Sequence, residues 1–178
     1  MNRIDLSGKW QGKILPNDED GGFSFDATVP GCVHTDLIKN KVLNDIFYRN
    51  NSESCQWIEN RDVSFSREFT VEELPSCAEL VFEGLDTYTE IYLNGRLIGE
   101  TDNMFISHSF DIKSVLVEGK NSITVRFRSP VKEVEGLPLY GGAFTRERMR
   151  TRRMIIHVQQ LPPNKPLHIC VSSFLSLS

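Results

Sequence analysis

The sequence has no run of 18 or more apolar residues and no apolar segment near its start of the kind that forms a secretory signal. We therefore expect a soluble, cytoplasmic chain with no membrane partner. Its four cysteines include no Cys-x-x-Cys pair, and its four histidines are not spaced with them as metal ligands are. We expect no metal site, no cofactor, and buried thiols in place of disulfides.

Positive charge is scarce over most of the chain. The formal net charge is -4, but residues 145–178 hold six Lys or Arg against one Glu, a net +5. The remaining 14 basic and 23 acidic residues give residues 1–144 a net charge of -9. A surface of that sign repels a phosphate backbone, so no nucleic-acid partner is expected for the body of the protein.

The strongest local pattern lies in residues 79–105, ELVFEGLDTYTEIYLNGRLIGETDNMF. Apolar side chains recur there mostly at every second position, as in strands with one buried face. Asn94-Gly95 is the dipeptide that a two-residue hairpin turn favours, because both of its residues need positive φ. Residues 84–87 interrupt the alternation where a sandwich usually lets the chain cross between sheets. The segment predicts strand, corner, strand, tight turn, strand.

Further strands are predicted on both sides of this segment, because alternation recurs between short turns. They cover residues 6–15, 28–29, 63–69, 106–112 and 121–127. Residues 16–22 are predicted to be an exposed acidic turn, and residues 33–40 have the apolar spacing of one or two helical turns. The interpretation is an all-β fold of about eight strands, an antiparallel β-sandwich of the jelly-roll type with one short helix.

The last part of the chain differs in composition. Residues 154–178 contain no Asp or Glu, and Pro162, Pro163 and Pro166 interrupt regular structure. We therefore divide the chain into a sandwich domain, residues 1–150, and a divergent tail, residues 151–178. Two interpretations of the tail stay open. It is unrelated sequence joined by a frameshift, premature stop or alternative exon, or it supplies terminal strands that complete the sandwich.

Six sequence blocks occur in order: LSGKW at 6–10, VPGCVHTDLI at 29–38, DIFYRNN at 45–51, WIENRDVSFSREF at 57–69, FEGLDTYTEIYLNGRLIGETDNMF at 82–105 and SFDIKSVLVEGKNSITVRFRSPV at 109–131. Together they resemble the N-terminal domain of glycoside hydrolase family 2, and within that family the β-mannosidases. The second block and the GETDNMF run favour β-mannosidase over galactosidase or glucuronidase. The resemblance covers about residues 1–150 and implies a galactose-binding-like β-sandwich.

The resemblance implies a non-catalytic domain. In the family a later (β/α)8 barrel carries the acid and the nucleophile of a retaining mechanism, which lie about 5 to 5.5 Å apart. No catalytic residue is therefore expected here, and the chain is expected to be truncated before that barrel and inactive alone. The acids Glu133, Glu135 and those at residues 18–20 are expected to be solvated loop residues.

Three functions remain open on these grounds. The first is the accessory domain of a β-mannosidase-like hydrolase of carbohydrate metabolism, whose parent cleaves terminal β-mannosides. The second is a free-standing, lectin-like carbohydrate-binding module, and the third is an inactive truncated product. If a closing strand is missing, unpaired backbone groups and interdomain apolar surface favour self-association.

One aromatic cluster is the candidate contact site. Its members are Phe47, Tyr48, Arg49, Asn50 and Trp57. Aromatic faces stack on the apolar faces of pyranose rings, so these residues are candidates for sugar contact. The alternative is that the segment docks on the missing catalytic barrel.

Overall fold

The structure is a computed structural model, and it describes residues 4–18, 20–45, 51, 53–135, 153–156 and 167–169. Strands dominate these residues: β1 Gly8–Ile14, β2 Phe23–Val29, β3 Gly31–Cys32, β4 Val63–Val71, β5 Ala78–Leu85, β6 Thr89–Leu93, β7 Arg96–Thr101, β8 His108–Asp111, β9 Gly119–Phe127, β10 Arg153–Ile156 and β11 Leu167–Ile169. The helices are α1 Val33–Lys39, a 3-10 helix Glu53–Asn60 and α2 Pro130–Val134.

The strands form two sheets. The larger has the order β2-β1-β4-β9-β6-β7. In the smaller, β5 pairs with β8, β10 and β11, and β10 also pairs with β3. Every described strand pairing is antiparallel except that of β11 with β5, which is parallel. The antiparallel β-sandwich predicted from the alternation is confirmed, with short helices in its connections.

The chain crosses between the sheets where the sequence predicts it. β5 belongs to the smaller sheet and β6 to the larger, and only residues 86–88 connect them. The tight turn is also confirmed: Asn94 and Gly95 have φ values of 51° and 78° between β6 and β7. Positive φ at both central residues matches the right-handed twist of the strands that the turn joins.

The core lies between the sheets and is rich in aromatic rings. Phe23 and Phe25 of β2, Phe65 of β4 and Phe127 of β9 follow one another across the larger sheet, with ring centroids 6.5, 6.1 and 5.7 Å apart. A Cβ on Gly12 would lie 2.3 Å from the Phe25 ring, so the ring packs directly over the glycine backbone. Phe25, Phe65 and Phe127 are buried, and a fully buried side chain of this size contributes about 1.5–3 kcal/mol to folding.

β2 is longer than the sequence predicts, and the described residues contain more helices than it predicts. β2 extends over seven residues, where the sequence predicts only the pair Thr28-Val29, because β1 supplies backbone partners along its whole length. A second α-helix and a 3-10 helix accompany the predicted helix α1. α2 begins because the Ser129 side chain accepts a hydrogen bond from the Lys132 amide and Pro130 occupies its first turn.

Two segments of the predicted tail are strands on β5. Phe82 of β5 pairs with both β8 and β10, and Glu79 of β5 pairs with both β8 and β11. Because a strand has only two edges, β10 and β11 lie on the same edge of β5, opposite β8. β10 also pairs with β3 through Arg153 and Met154. The described parts of the tail therefore supply backbone partners to the smaller sheet. The division into residues 1–150 and 151–178 stays a prediction.

Candidate functional site

Five connections come together at one end of the larger sheet. One row of paired residues crosses all six strands there. It runs from Phe23 in β2 through Ile14, Val63, Phe127 and Thr89 to Thr101 in β7. These pairs mark one end of six strands, which we call the Thr89 end. Its connections are residues 15–22, 61–62, 86–88, 102–107 and 128–135. Loops gathered at one end of a rigid sandwich are where such folds place binding groups.

Arg61 holds the first of these connections in place. Its guanidinium donates to both carboxylate oxygens of Asp20 at 2.6 and 2.8 Å and to the carbonyl of Leu15 at 3.2 and 2.6 Å. The Arg61 side chain is only 6% exposed, whereas that of Asp20 is 57% exposed. Hydrogen bonds from Arg61 and from the Gly22 amide lower the pKa of Asp20 to about 2. Asp20 is thus an ionised structural acceptor and is unsuited to act as a general acid.

Asp62 and Arg126 begin a second network on the larger sheet. Asp62 accepts a hydrogen bond from Arg126 at 2.6 Å and one from the backbone amide of Ser129 at 2.9 Å. Arg126 also donates to Glu90 at 3.3 Å, and the Tyr92 hydroxyl donates to the same Glu90 oxygen at 2.8 Å. The hydrogen bond to Asp62 raises the pKa of Arg126, and the one to Glu90 raises the pKa of Tyr92. Arg126 therefore pairs with both carboxylates and links Asp62, which immediately precedes β4, to β6 and β9.

A polar pocket of about 120 Å³ lies between these networks. Its walls come from the connection after β1, the end of the 3-10 helix and α2. The lining residues are Pro16, Asn17, Asp18, Asn60, Arg61, Asp62 and Lys132. Amide, carboxylate and ammonium groups of this kind can hydrogen-bond a small polar ligand, but a pocket of this size is below the range typical of drug-sized ligands.

Of the predicted contact residues, only Trp57 lies among the described residues. It is in the 3-10 helix, partly buried against the core, with its ring centroid 6.3 Å from that of Phe23. Phe23 is opposite Ile14, so Trp57 lies at the Thr89 end. Phe47, Tyr48, Arg49 and Asn50 are outside the described residues. Trp57 packs on the sandwich, and contact of the cluster with a sugar or a barrel stays a prediction.

The sequence did not single out Arg61, Asp62 or Arg126 as structural residues. Its one available signal was Arg126, a charged residue between the apolar positions Val125 and Phe127 of β9. The acids at residues 133 and 18 were expected to be solvated. Glu133, on α2, instead lies 3.5 Å from Arg128, and both side chains of this ion pair are half-buried. Partners that are distant in sequence cannot be recognised from spacing alone.

The described residues contain no cluster of three or more His, Cys, Asp or Glu side chains arranged to hold a metal ion. Within that same part of the chain, no helix is both long and apolar enough to cross a bilayer.

The fold and the loop-bearing Thr89 end define a galactose-binding-like β-sandwich. Residues 10–155 match the family model described as the galactose-binding domain-like region of glycosyl hydrolase family 2. The chain therefore belongs to glycoside hydrolase family 2, through its galactose-binding-like domain, as the six sequence blocks indicate.

Individual relatives agree with this assignment. The β-mannosidase of Bos taurus is 40% identical over 131 residues, which are 72% of this chain and 14% of that protein. The β-mannosidase of Mus musculus is 38% identical over 133 residues, 73% of this chain and 15% of that protein. The crystal structure of the β-D-mannosidase from Dictyoglomus thermophilum is 41% identical, with a TM-score of 0.74, over 82% of this chain and 18% of that one. The chain thus spans less than a fifth of each of these relatives.

Proposed function

We propose that this chain is the non-catalytic sandwich domain of a β-mannosidase-like glycoside hydrolase, in a parent protein that removes terminal β-linked mannose by a retaining mechanism. The observation that carries the proposal is the family match over residues 10–155 together with 40% identity to a β-mannosidase. The carbohydrate partner is then reached through the parent enzyme, in which the sandwich helps to frame the site.

The carboxylates of the Thr89 end support a non-catalytic role. A retaining glycosidase needs one carboxyl group that stays protonated to act as the acid and a second that is free to attack the sugar. Asp20, Asp62 and Glu90 each accept hydrogen bonds from an arginine side chain. These three carboxylates serve structure, which agrees with a parent protein whose acid and nucleophile lie outside this domain.

The test replaces the matched segment of the Dictyoglomus thermophilum β-mannosidase with residues 1–156 of this chain. We expect the chimera to release p-nitrophenol from an aryl β-mannoside, whereas the purified chain alone releases none. The control is the same enzyme in which the segment is replaced by a β-sandwich from a protein that is not a glycosidase. Turnover by the chain alone, or a folded chimera without turnover, would contradict the proposal.

A cytoplasmic location and self-association remain predictions from the sequence. Light scattering of the purified chain tests the second, because an exposed apolar surface that normally meets another domain favours association at high concentration. A monomer at every concentration would count against it.

A further inference from the structure

One connection of the Thr89 end presents two neighbouring apolar side chains to solvent. Phe105 is 81% exposed and Ile106 is 52% exposed, both in residues 102–107 between β7 and β8. Among the large hydrophobic side chains in the described part of the chain, Phe105 is the most exposed. We call residues 102–107 the Phe105 tip. An exposed aromatic beside an exposed aliphatic residue marks a surface that another molecule covers.

The tip is held in one shape. The Asn103 side chain accepts a hydrogen bond from the Phe105 amide at 2.9 Å, and the Asn103 carbonyl lies 2.7 Å from Nε2 of His108. At its base, the buried hydroxyls of Thr89 and Thr101 are 2.6 Å apart. A side chain that is presented from an ordered turn loses little conformational entropy on binding, which is how a single aromatic anchor comes to dominate an interface.

The chemistry of the tip fits a protein pocket better than a sugar. A pyranose site needs hydrogen-bonding groups beside the aromatic face, because the ring carries hydroxyls around its edge. The Asn103 carboxamide oxygen and His108 Nε2 are instead bonded to the tip itself. Ile106 adds apolar area and no hydrogen bond. Phe105 and Ile106 are therefore suited to fill an apolar depression on a protein.

The occupant follows from the position of the tip and the length of the relatives. β7 and β9 both end at the Thr89 end, so the Phe105 tip and the connection that leaves β9 through α2 share that end. The chain spans 14% of the Bos taurus relative and 18% of the Dictyoglomus thermophilum relative, so most of such a protein lies outside the matched domain. We propose that the Phe105 tip docks in an apolar pocket on that remaining part of the parent hydrolase, an inference that rests on the proposed function.

The experiment compares hydrogen exchange in the isolated full chain and in the Dictyoglomus thermophilum chimera described above. Amides in the peptide covering residues 102–108 should exchange more slowly in the chimera than in the isolated chain. The peptide covering residues 117–122, at the opposite end of β9, serves as the internal control and should exchange alike in both.

Variants supply a second measurement. Phe105→Ala should accelerate the thermal inactivation of the chimera about tenfold, the loss expected for an interface anchor. It should leave the melting temperature of the isolated chain unchanged, because the side chain packs little within the domain. Val117→Ala is the matched control, since Val117 is 46% exposed at the other end of the sandwich, and it should alter neither protein.

The outcomes separate the two proposals. An active chimera with no protection at residues 102–108, or with normal stability after Phe105→Ala, overturns the docking inference and leaves the proposed function intact. A folded but inactive chimera overturns both. Titration of the isolated chain with mannose decides the remaining alternative: binding that is lost on Phe105→Ala would make the tip a sugar contact and would overturn the protein-docking inference.

Discussion

Asp62 and Arg126 join two places in the chain that are 64 residues apart, with Nη2 of the arginine 2.6 Å from Oδ2 of the aspartate. The second oxygen of Asp62 accepts the backbone amide of Ser129, the residue that caps α2. One carboxylate thereby fixes the start of β4, the end of β9 and the direction in which the chain leaves the larger sheet. Because Asp62 is 21% exposed and Arg126 is 39% exposed, solvent screens the pair only in part.

Replacement of Asp62 by Ala should destabilise the domain by about 1–2 kcal/mol, because it removes a charge-assisted hydrogen bond and the partner of the Ser129 amide. The midpoint of urea unfolding measures the change. Glu68→Gln is the control: Glu68 and Lys120 are 3.9 Å apart and largely exposed, so their pair contributes little. Equal midpoints for Asp62→Ala and the unmodified chain would show that the network is not structural.

The ion pair of Asp20 with Arg61 should make the free energy of unfolding depend on pH in the acidic range. Hydrogen bonds from Arg61 and Gly22 lower the pKa of Asp20 from 3.8 to about 2 in the folded state. The stabilisation is therefore complete above pH 3.8 and is lost as the pH falls through about 2. The difference in stability between the unmodified chain and Asp20→Asn should be constant near neutral pH and shrink over this acidic window.

The same comparison in an Arg61→Gln background is the control for that experiment. Without the guanidinium, the acid dependence of the difference that Asp20→Asn produces should become smaller, because the largest cause of the lowered pKa is gone and the Gly22 amide remains. An unchanged acid dependence would assign the effect to another group.

Gly12 should not tolerate a methyl group. A Cβ at this position would lie 2.3 to 2.8 Å from three atoms of the Phe25 ring, and the ring is itself buried against Phe65. Gly12→Ala should therefore cost about 1–3 kcal/mol of stability, measured by thermal unfolding. Gly21→Ala is the control, because no atom lies within 4 Å of its Cβ position, and a change within about 0.5 kcal/mol is expected there. Similar losses in both would show that contact with the Phe25 ring is not the cause, because a Gly→Ala change that fits its backbone lowers the entropy of the unfolded chain and favours folding.

Substitution of Trp57 distinguishes a packing role from contact with a sugar. Its ring packs on Phe23, so Trp57→Ala should lower stability by about 2 kcal/mol, less than for a fully buried Trp. Calorimetric titration with mannose should give the same result for the unmodified chain and for Trp57→Ala. Binding that is lost in Trp57→Ala while the melting temperature is kept would instead identify the ring as a sugar platform and support the lectin-like alternative.

The sequence predicts correctly those structural elements whose signals are local. The hairpin at Asn94-Gly95 and helix α1 depend on residues that are neighbours in the chain, and the crossing at residues 86–88 is marked by the loss of alternation. β2 was underestimated because its residues 23–27 gain a strand partner only when β1 lies beside them. The network of Asp62 with Arg126 was missed for the same reason: nothing in either neighbourhood indicates the other.

By itself, the sequence determined the all-β class, the positions of the central strands along the chain and membership in a glycoside hydrolase family, because alternation, turn residues and ordered blocks are local properties of the chain. Only the tertiary structure decided which connections share the Thr89 end, which acids pair with arginine, and that Phe105 faces solvent while Trp57 packs on Phe23. These properties depend on which strands pair, because pairing places residues from distant parts of the chain side by side. Alternation along one strand indicates which of its faces is buried, but it does not identify a partner strand that is distant in the sequence.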